Sequence, residues 1–401
     1  MWLTPLNLRR VDAASSATGT GREFEHTLIT GVATSTLDSR RRMNSLKATR
    51  KYEAWLSQYT TIVAPDLRLK HQRMADDLFW FLRATYYRWV DLWKETCPRL
   101  ANAPEVLAVG DLHVENFGTW RDIEGRLIWG INDFDEAYPM PYAIDLVRLA
   151  ASAHLAIAAG HLKIGPRDAC DAVLTGYRQS LEAGGEAFVL EEKHGWLRRV
   201  AVNELRNPVE FWQKMEALPR LRRRIPGGAL KALDRMMPHP GLKFEVRHRV
   251  AGLGSLGRER YVALATWDGG RVAREAKALA PSASVWASGG KGSKRILYQQ
   301  ILRLAVRCPD PFVELKGRWI VRRLGPHCCH VELTSLPEER EELRLLQAMG
   351  WETANAHLGS RRSVAAVVRD LNRRPTGWLH EASRNMVKAT TADWQEWKKK
   401  R

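Results

Sequence analysis

The chain has 401 residues, 45% of them apolar and 27% charged, with sixteen tryptophans and a formal net charge of +18 at pH 7. This composition excludes wholesale disorder, since disordered chains are poor in aromatic and apolar side chains, and the length exceeds what one hydrophobic core usually serves, so two lobes are expected. The charge brings anionic partners into consideration, whether nucleotide phosphate, nucleic acid or an acidic surface, without choosing among them.

Cys97, Cys170, Cys308, Cys328 and Cys329 are odd in number and have neither CxxC spacing nor a regular framework, so neither a zinc site nor a disulfide scaffold follows. Residues 1–5 lack a charged region followed by a long apolar one, and no window reaches the roughly 18 uninterrupted apolar residues of a membrane helix. A soluble, cytoplasmic protein is expected. The basic runs Arg40-Arg41-Arg42, Arg222-Arg223-Arg224 and Lys398-Lys399-Lys400-Arg401 are expected to be solvated loops and an exposed tail.

In chain order, residues 1–69 predict a partly irregular extension, with one helix around Met43 to Tyr59. Met74, Leu78, Phe81, Leu82, Tyr86, Trp89 and Trp93 recur at helical intervals and predict a helix over 70–95 with a buried stripe. Val106–Val109 and Leu127–Ile131 are short apolar runs ending at Gly110 and at Asn132-Asp133, so two strands deliver polar residues from their C-terminal ends. An apolar helix with an acid in its first turn follows Pro141.

Helices separated by prolines lead to Pro238-His239-Pro240, the boundary that closes a large lobe spanning 70–240. Residues 241–327 predict a small lobe in the order strand, strand, strand, helix, strand, strand. Residues 328–401 predict a helical return to the large lobe and a basic tail.

Chemistry concentrates in Gly110-Asp111-Leu112-His113-Val114-Glu115-Asn116 and Asn132-Asp133-Phe134-Asp135. Phosphoryl transfer needs a group that orients the nucleophile, oxygen donors that hold magnesium, and positive or N–H-rich elements around the phosphates. Asp111 and Asn116 stand five apart, the separation of the catalytic Asp and metal-binding Asn in kinases, and Asp133 adds a second oxygen ligand for a hard cation. Gly252-Leu253-Gly254-Ser255-Leu256-Gly257 is a weak signal alone, but the β-prone residues after it make it a loop between strands, and Lys277 falls on the third strand.

The paired motifs resemble the Gly-Asp-x-His-x-x-Asn and Ile-Asp-Phe-Asp elements of aminoglycoside and choline kinase relatives. More closely, Gly110 to Gly118 and Asn132 to Glu136 resemble an uncharacterised bacterial domain family of kinase-like fold. The resemblance implies an α+β, protein-kinase-like two-lobe fold binding ATP and Mg2+. Asp111 would be the catalytic carboxylate and Asn116 and Asp133 the metal ligands, with Gly252, Gly254, Ser255, Gly257 and Lys277 on the nucleotide. His113 and Asp135 would support the site, and Asp145 would brace the catalytic loop.

The helix from Gly350 to His357 resembles the one that precedes the catalytic loop in small-molecule kinases. The glycine loop and Lys277 follow Asp111 here instead of preceding it, which implies circular permutation. Val109 replaces the usual His before Gly-Asp, and Gln299 and Gln300 stand where a Glu partner for Lys277 would be expected. Asp135 and Glu136 can be read either as support or as solvated loop.

The acceptor is an unspecified hydroxyl-bearing molecule. Two other functions compete. Asp111-Leu112-His113 also suits a dimetal phosphoesterase, which would need further His and Asn ligands, and the net charge suits a non-catalytic protein binding nucleic acid or an acidic partner.

Overall fold

The computed structural model describes residues 43–203, 207–221, 224–328 and 339–399. Most of the expected N-terminal extension, Arg40 to Arg42, Arg222, Arg223 and Cys329 lie outside them.

The segment from residue 43 to 69 is helical and packed. Helix α1 (Ser45–Leu56) is capped by Asn44, whose side chain accepts from Lys47 N–H at 2.8 Å, and it buries Tyr52 and Leu56 in the main core. The helix expected over 70–95 is interrupted. Helix α2 (Ala64–Asp76) ends at Asp77, which is extended and accepts from Trp80 N–H to start α3 (Leu78–Ala84). Thr85, whose hydroxyl donates to Phe81 C=O at 2.6 Å, separates α3 from α4 (Tyr86–Thr96). Short polar side chains that bond nearby backbone compete with helix continuation, and here two of them divide an apolar repeat that is otherwise uniform.

Strand β1 (Glu105–Ala108) pairs with β4 (Tyr138–Pro141), while β2 (Phe117–Arg121), β3 (Leu127–Ile131) and β5 (Phe188–Val189) form a second antiparallel sheet. The buried helix after Pro141 is α5 (Ala143–Ala158), and α6 (Pro166–Ala183) packs beside it, opening on proline and closing at Gly184 with φ 79°. Helices α7 (Gly195–Asn203), α8 (Pro208–Glu216) and α9 (Gly227–Arg235) follow.

The third sheet runs β6 (Glu245–His248), β7 (Arg260–Trp267), β8 (Gly270–Ala278), β9 (Val313–Lys316) and β10 (Trp319–Leu324), paired antiparallel in the order β6-β7-β8-β10-β9. Between β8 and β9 lie α10 (Ala283–Ala287) and α11 (Tyr298–Leu304). Side chains alternate across a sheet, so Tyr261, Ala263, Ala276, Ala278, Trp319 and Val321 share one face and form a separate core with α9. Arg260, Glu275, Lys277 and Arg322 occupy the other face. Leu221 N–H bonds Val246 O and His248 N–H bonds Pro219 O, tying the chain before α9 to β6. The boundary expected at Pro238 to Pro240 thus falls inside the sheet unit: the apolar sheet face needs a cover, and α9, which provides it, precedes those prolines.

Helices α12 (Glu339–His357), α13 (Arg361–Arg373) and α14 (Trp378–Lys399) return to the main core, α12 against α6 and α14 against α5. Among the described residues the architecture is α+β, with fourteen helices and three antiparallel sheets, and no helix is long and apolar enough to cross a membrane. At the α6–α12 crossing a Cβ on Gly176 would stand 1.8 Å from Gln347 O, and one on Gly350 would stand 2.0 Å from Val173 O. Both obstacles are backbone and cannot swing aside. Gly176→Ala is expected to cost at least the roughly 1–3 kcal/mol usual for overpacking, measured by urea unfolding; a midpoint equal to that of the wild type would refute this account of the crossing.

Candidate active site

The first polar loop leaves β1 through Val109 and Gly110. Asp145, in the first turn of α5, accepts from Val109 N–H at 2.6 Å and from Gly110 N–H at 2.9 Å. His357 Nε2, from the last turn of α12, lies 2.9 Å from the same carboxylate, and Tyr177 Oη lies 2.8 Å from His357 Nδ1. All of these groups are buried. Gly110 has φ 89°, and a Cβ there would stand 2.5 Å from Glu136 O, so only glycine fits where the two polar loops cross.

One residue on, Asp111 Oδ1 accepts from Arg148 Nε at 2.8 Å and also from Arg148 Nη2. Arg148 is fully buried, donates to Leu82 O at 2.9 Å, and stacks its guanidinium 5.0 Å from the rings of Tyr86 and Trp89. It stands three residues after Asp145 and therefore on the same face of α5. That spacing is visible in the sequence, although Arg148 was not among the residues expected to serve the site. His113 is buried, and its Nδ1 accepts from Glu115 N–H at 3.2 Å, which turns the ring into its own loop.

Asn116 joins the two polar loops. Its Nδ2 donates to Asp111 O at 3.3 Å and Asp133 O at 3.0 Å, while its Oδ1 accepts from Asp133 N–H at 3.1 Å. At the end of β3, Asp133 Oδ2 lies 2.9 Å from Lys277 Nζ, and Asp135 Oδ2 lies 2.6 Å from that ammonium. Burial opposes charge on Asp133, but Lys277 outweighs it and holds the carboxyl well below the ordinary range. Burial, reinforced by the neighbouring Asp133 charge, pushes Asp135 up to about 7. Asp135 Oδ1 is enclosed and makes no hydrogen bond.

Lys277 thus has carboxylate partners on the second polar loop, not on the helix after it. Gln299, at the expected partner position, instead accepts from Leu315 N–H at 3.1 Å and braces β9. Two residues before Lys277, on the same face of β8, Glu275 is completely buried and paired with Arg249, Arg260 and Arg322. Burial would raise its pKa, but these guanidinium groups drive it far below the ordinary value. Removing one member of such a buried cluster typically costs about 3–5 kcal/mol. Glu275 and its arginines could be found in the sequence only by projecting the period-two alternation outward from Lys277.

The glycine loop connects β6 to β7. Gly252 and Gly257 have φ 70° and 92°, and Leu253–Ser255 form one 3₁₀ turn whose Ser255 Oγ accepts from Arg260 Nη2 at 2.7 Å. Leu253 and Leu256 pack against Met74, Phe81 and Ala84, while Lys70 Nζ donates to Gly254 O at 2.9 Å. Gly254 lies over the first polar loop, where a Cβ would be 3.4 Å from Asp111 Oδ2. Arg258, just past the loop, bonds Glu136 and Tyr52 and lies 3.8 Å from Asp135, so Glu136 is a buried partner and not solvated loop.

Between the helical body and the sheet is a cleft of about 1170 Å³ lined by Asp111, Asn116, Asp133, Asp135, Gly252 and Arg322, among others. Among the described residues nine arginines and Lys70 line it, against six acidic residues. Its excess of basic side chains favours an anionic ligand.

Glu352 on α12 supports β3 from beneath, accepting from Ile131 N–H at 3.3 Å and from Asn355 Nδ2 at 2.8 Å. Burial pushes its carboxyl from 4.5 up to about 7, against the pull of Arg307. Between those values the folded chain keeps a proton that the unfolded chain has lost, so its contribution to stability declines as pH rises through that window. Urea unfolding at about pH 4.5 and about pH 8 should show Glu352→Gln losing less stability than the wild type over this interval. Parallel losses would show that Glu352 does not titrate in this way.

Comparisons with curated proteins and with solved structures give no match. Residues 63–237 and 242–400 match the model of the family described as an uncharacterized protein conserved in bacteria, DUF2252, and the chain belongs to that family.

Proposed function

We propose that the protein is an ATP-dependent phosphotransferase of kinase-like, circularly permuted fold acting on a hydroxyl-bearing acceptor. One observation carries this reading. Lys277 on β8 and Asp133 at the end of β3, 144 positions apart, meet at 2.9 Å beside the cleft that Asp111 and the glycine loop also border. In kinases a strand lysine, a metal-binding aspartate, a catalytic-loop Asp and Asn and a glycine-rich loop converge around the nucleotide phosphates. Here the glycine loop and Lys277 come later in the chain, hence the permuted reading.

The donor set suits magnesium, a hard cation that takes oxygen ligands. Asp133 and Asp135 already hold a cation between them, the Lys277 ammonium, and Asp135 Oδ1 is an enclosed acceptor without a donor. Asp133 and Asn116 would hold the ion, with Asp135 beside them. When bound, magnesium would neutralise charge on the phosphates. Arg148 fixes Asp111 through Oδ1, and Oδ2 would accept or orient the acceptor hydroxyl proton. Backbone N–H groups of Gly252 to Gly257 and the Arg260 and Arg322 side chains would face the phosphates.

A second reading has its own support. Lys277 is occupied by two carboxylates and arginine dominates the cleft, as would suit a kinase-like protein that binds an anion without turning it over. No observation of comparable weight favours the phosphoesterase reading.

Titration calorimetry with ATP and magnesium, together with γ-labelled ATP turnover against a metabolite pool, separates these readings. The expected outcome is binding that weakens at least about tenfold in Asp133→Ala, and label transfer that falls about 10²–10⁴-fold in Asp111→Asn. Binding without transfer in the wild type favours the second reading. Equal transfer by wild type and Asp133→Ala removes the first.

A further inference from the structure

Away from the cleft, α5, α6 and α14 meet around His154, Cys170 and His380. One potential ligand atom from each lies within 4.8 Å of the others. Cys170 is completely buried and His154 nearly so, while His380, in the first turn of α14, is half-buried and offers a route from solvent. His154 Nε2 is 3.3 Å from Cys170 Sγ, and two donors bound to one tetrahedral zinc at about 2.0 and 2.3 Å stand about 3.5 Å apart. Ser383, one turn after His380, has its hydroxyl 3.4 Å from His154 Nε2 and 3.7 Å from Cys170 Sγ, where a fourth donor belongs.

Protein contacts only partly account for the cluster. His154 Nε2 also lies 3.2 Å from Pro166 O, so without an ion the carbonyl, thiol and hydroxyl share one imidazole nitrogen. His380 Nδ1 is enclosed and has no hydrogen-bond partner. Two imidazoles and a thiol suit a borderline or soft divalent ion, whereas carboxylates and carbonyls suit magnesium. The geometry points to a site for a zinc-class ion held by His154, Cys170 and His380, with Ser383 or water completing the tetrahedron.

Binding breaks the Cys170 S–H bond and forms an Sγ–metal bond, and the proton leaves to solvent. The ion fastens α5 to α6 and α14. That fastening reaches the cleft, because α5 carries Arg148, which holds Asp111, and Ser152, whose Oγ accepts from Val114 N–H at 3.0 Å. The site is chemically distinct from the oxygen donors at Asp133 and does not depend on the phosphotransferase reading.

The test uses the full-length protein stripped of metal by chelator and titrated with Co2+ as a spectroscopic probe. The expected result is one equivalent bound per chain, with a thiolate-to-cobalt charge-transfer band and the visible bands of tetrahedral cobalt, all displaced by Zn2+. His380→Ala and Cys170→Ser should abolish the thiolate band, whereas Asp133→Ala should keep it. Zinc should raise the Tm of the wild type and leave that of His380→Ala unchanged. Cys170→Ser alters a fully buried position, so His380→Ala, checked for folding by circular dichroism, carries the test alone if Cys170→Ser fails to fold. Absence of a thiolate band in the wild type, or its persistence in folded His380→Ala, overturns the proposal.

Discussion

A single buried carboxylate, that of Asp145, is tied to two parts of the chain that are remote in sequence. It takes the two backbone N–H groups at the end of β1 and a ring nitrogen of His357 at the end of α12, while its own helix, α5, carries Arg148 to Asp111. Buried donors left without an acceptor cost about 1–3 kcal/mol each. The sharp turn at Gly110 exposes two such donors, and Asp145 satisfies both. The position of Asp111 is therefore a consequence of how α5 and α12 pack, and that packing depends in turn on the close α6–α12 approach at Gly176 and Gly350.

The late sheet works by a different principle. Period-two alternation gives it an apolar face for α9 and an opposite face carrying Arg260, Glu275, Lys277 and Arg322. Four charged side chains on one face of three adjacent strands cannot be left in an apolar interior unpaired. Glu275 pairs with three arginines, and Lys277 reaches across to Asp133 and Asp135. The sheet and the helical body are thus joined by ion pairs at the back of the cleft and by Leu253 and Leu256 at its glycine loop. An interface with both polar and apolar anchors fixes the spacing across which a ligand would be held.

Local patterns made much of this legible. The short strands before Gly110 and Asn132, the helix after Pro141 and the glycine loop between two strands all occur where apolar runs, turn residues and β-prone segments placed them. Other features were out of reach. The partners of Lys277 are 144 and 142 positions away, and the helix expected to supply a partner instead faces β9. Asp77 and Thr85 split a continuous apolar repeat because a single side-chain bond to backbone can end a helix without changing its periodicity. Helix α9, which covers the sheet, lies before Pro238 and so within the expected large lobe, because an amphipathic helix does not reveal which apolar surface it will meet.

By itself the sequence determined the α+β character, the two polar loops and the residue types they carry, because these depend on neighbours within a few positions along the chain. Only the tertiary structure decided that His357 joins Asp145 behind the first loop, that Lys277 meets Asp133 and Asp135, that three arginines surround Glu275, and that His154, Cys170 and His380 converge. Each of these is a pairing across a long loop, set by which buried polar groups must be satisfied once the helices and sheets have packed, and no local spacing encodes that requirement.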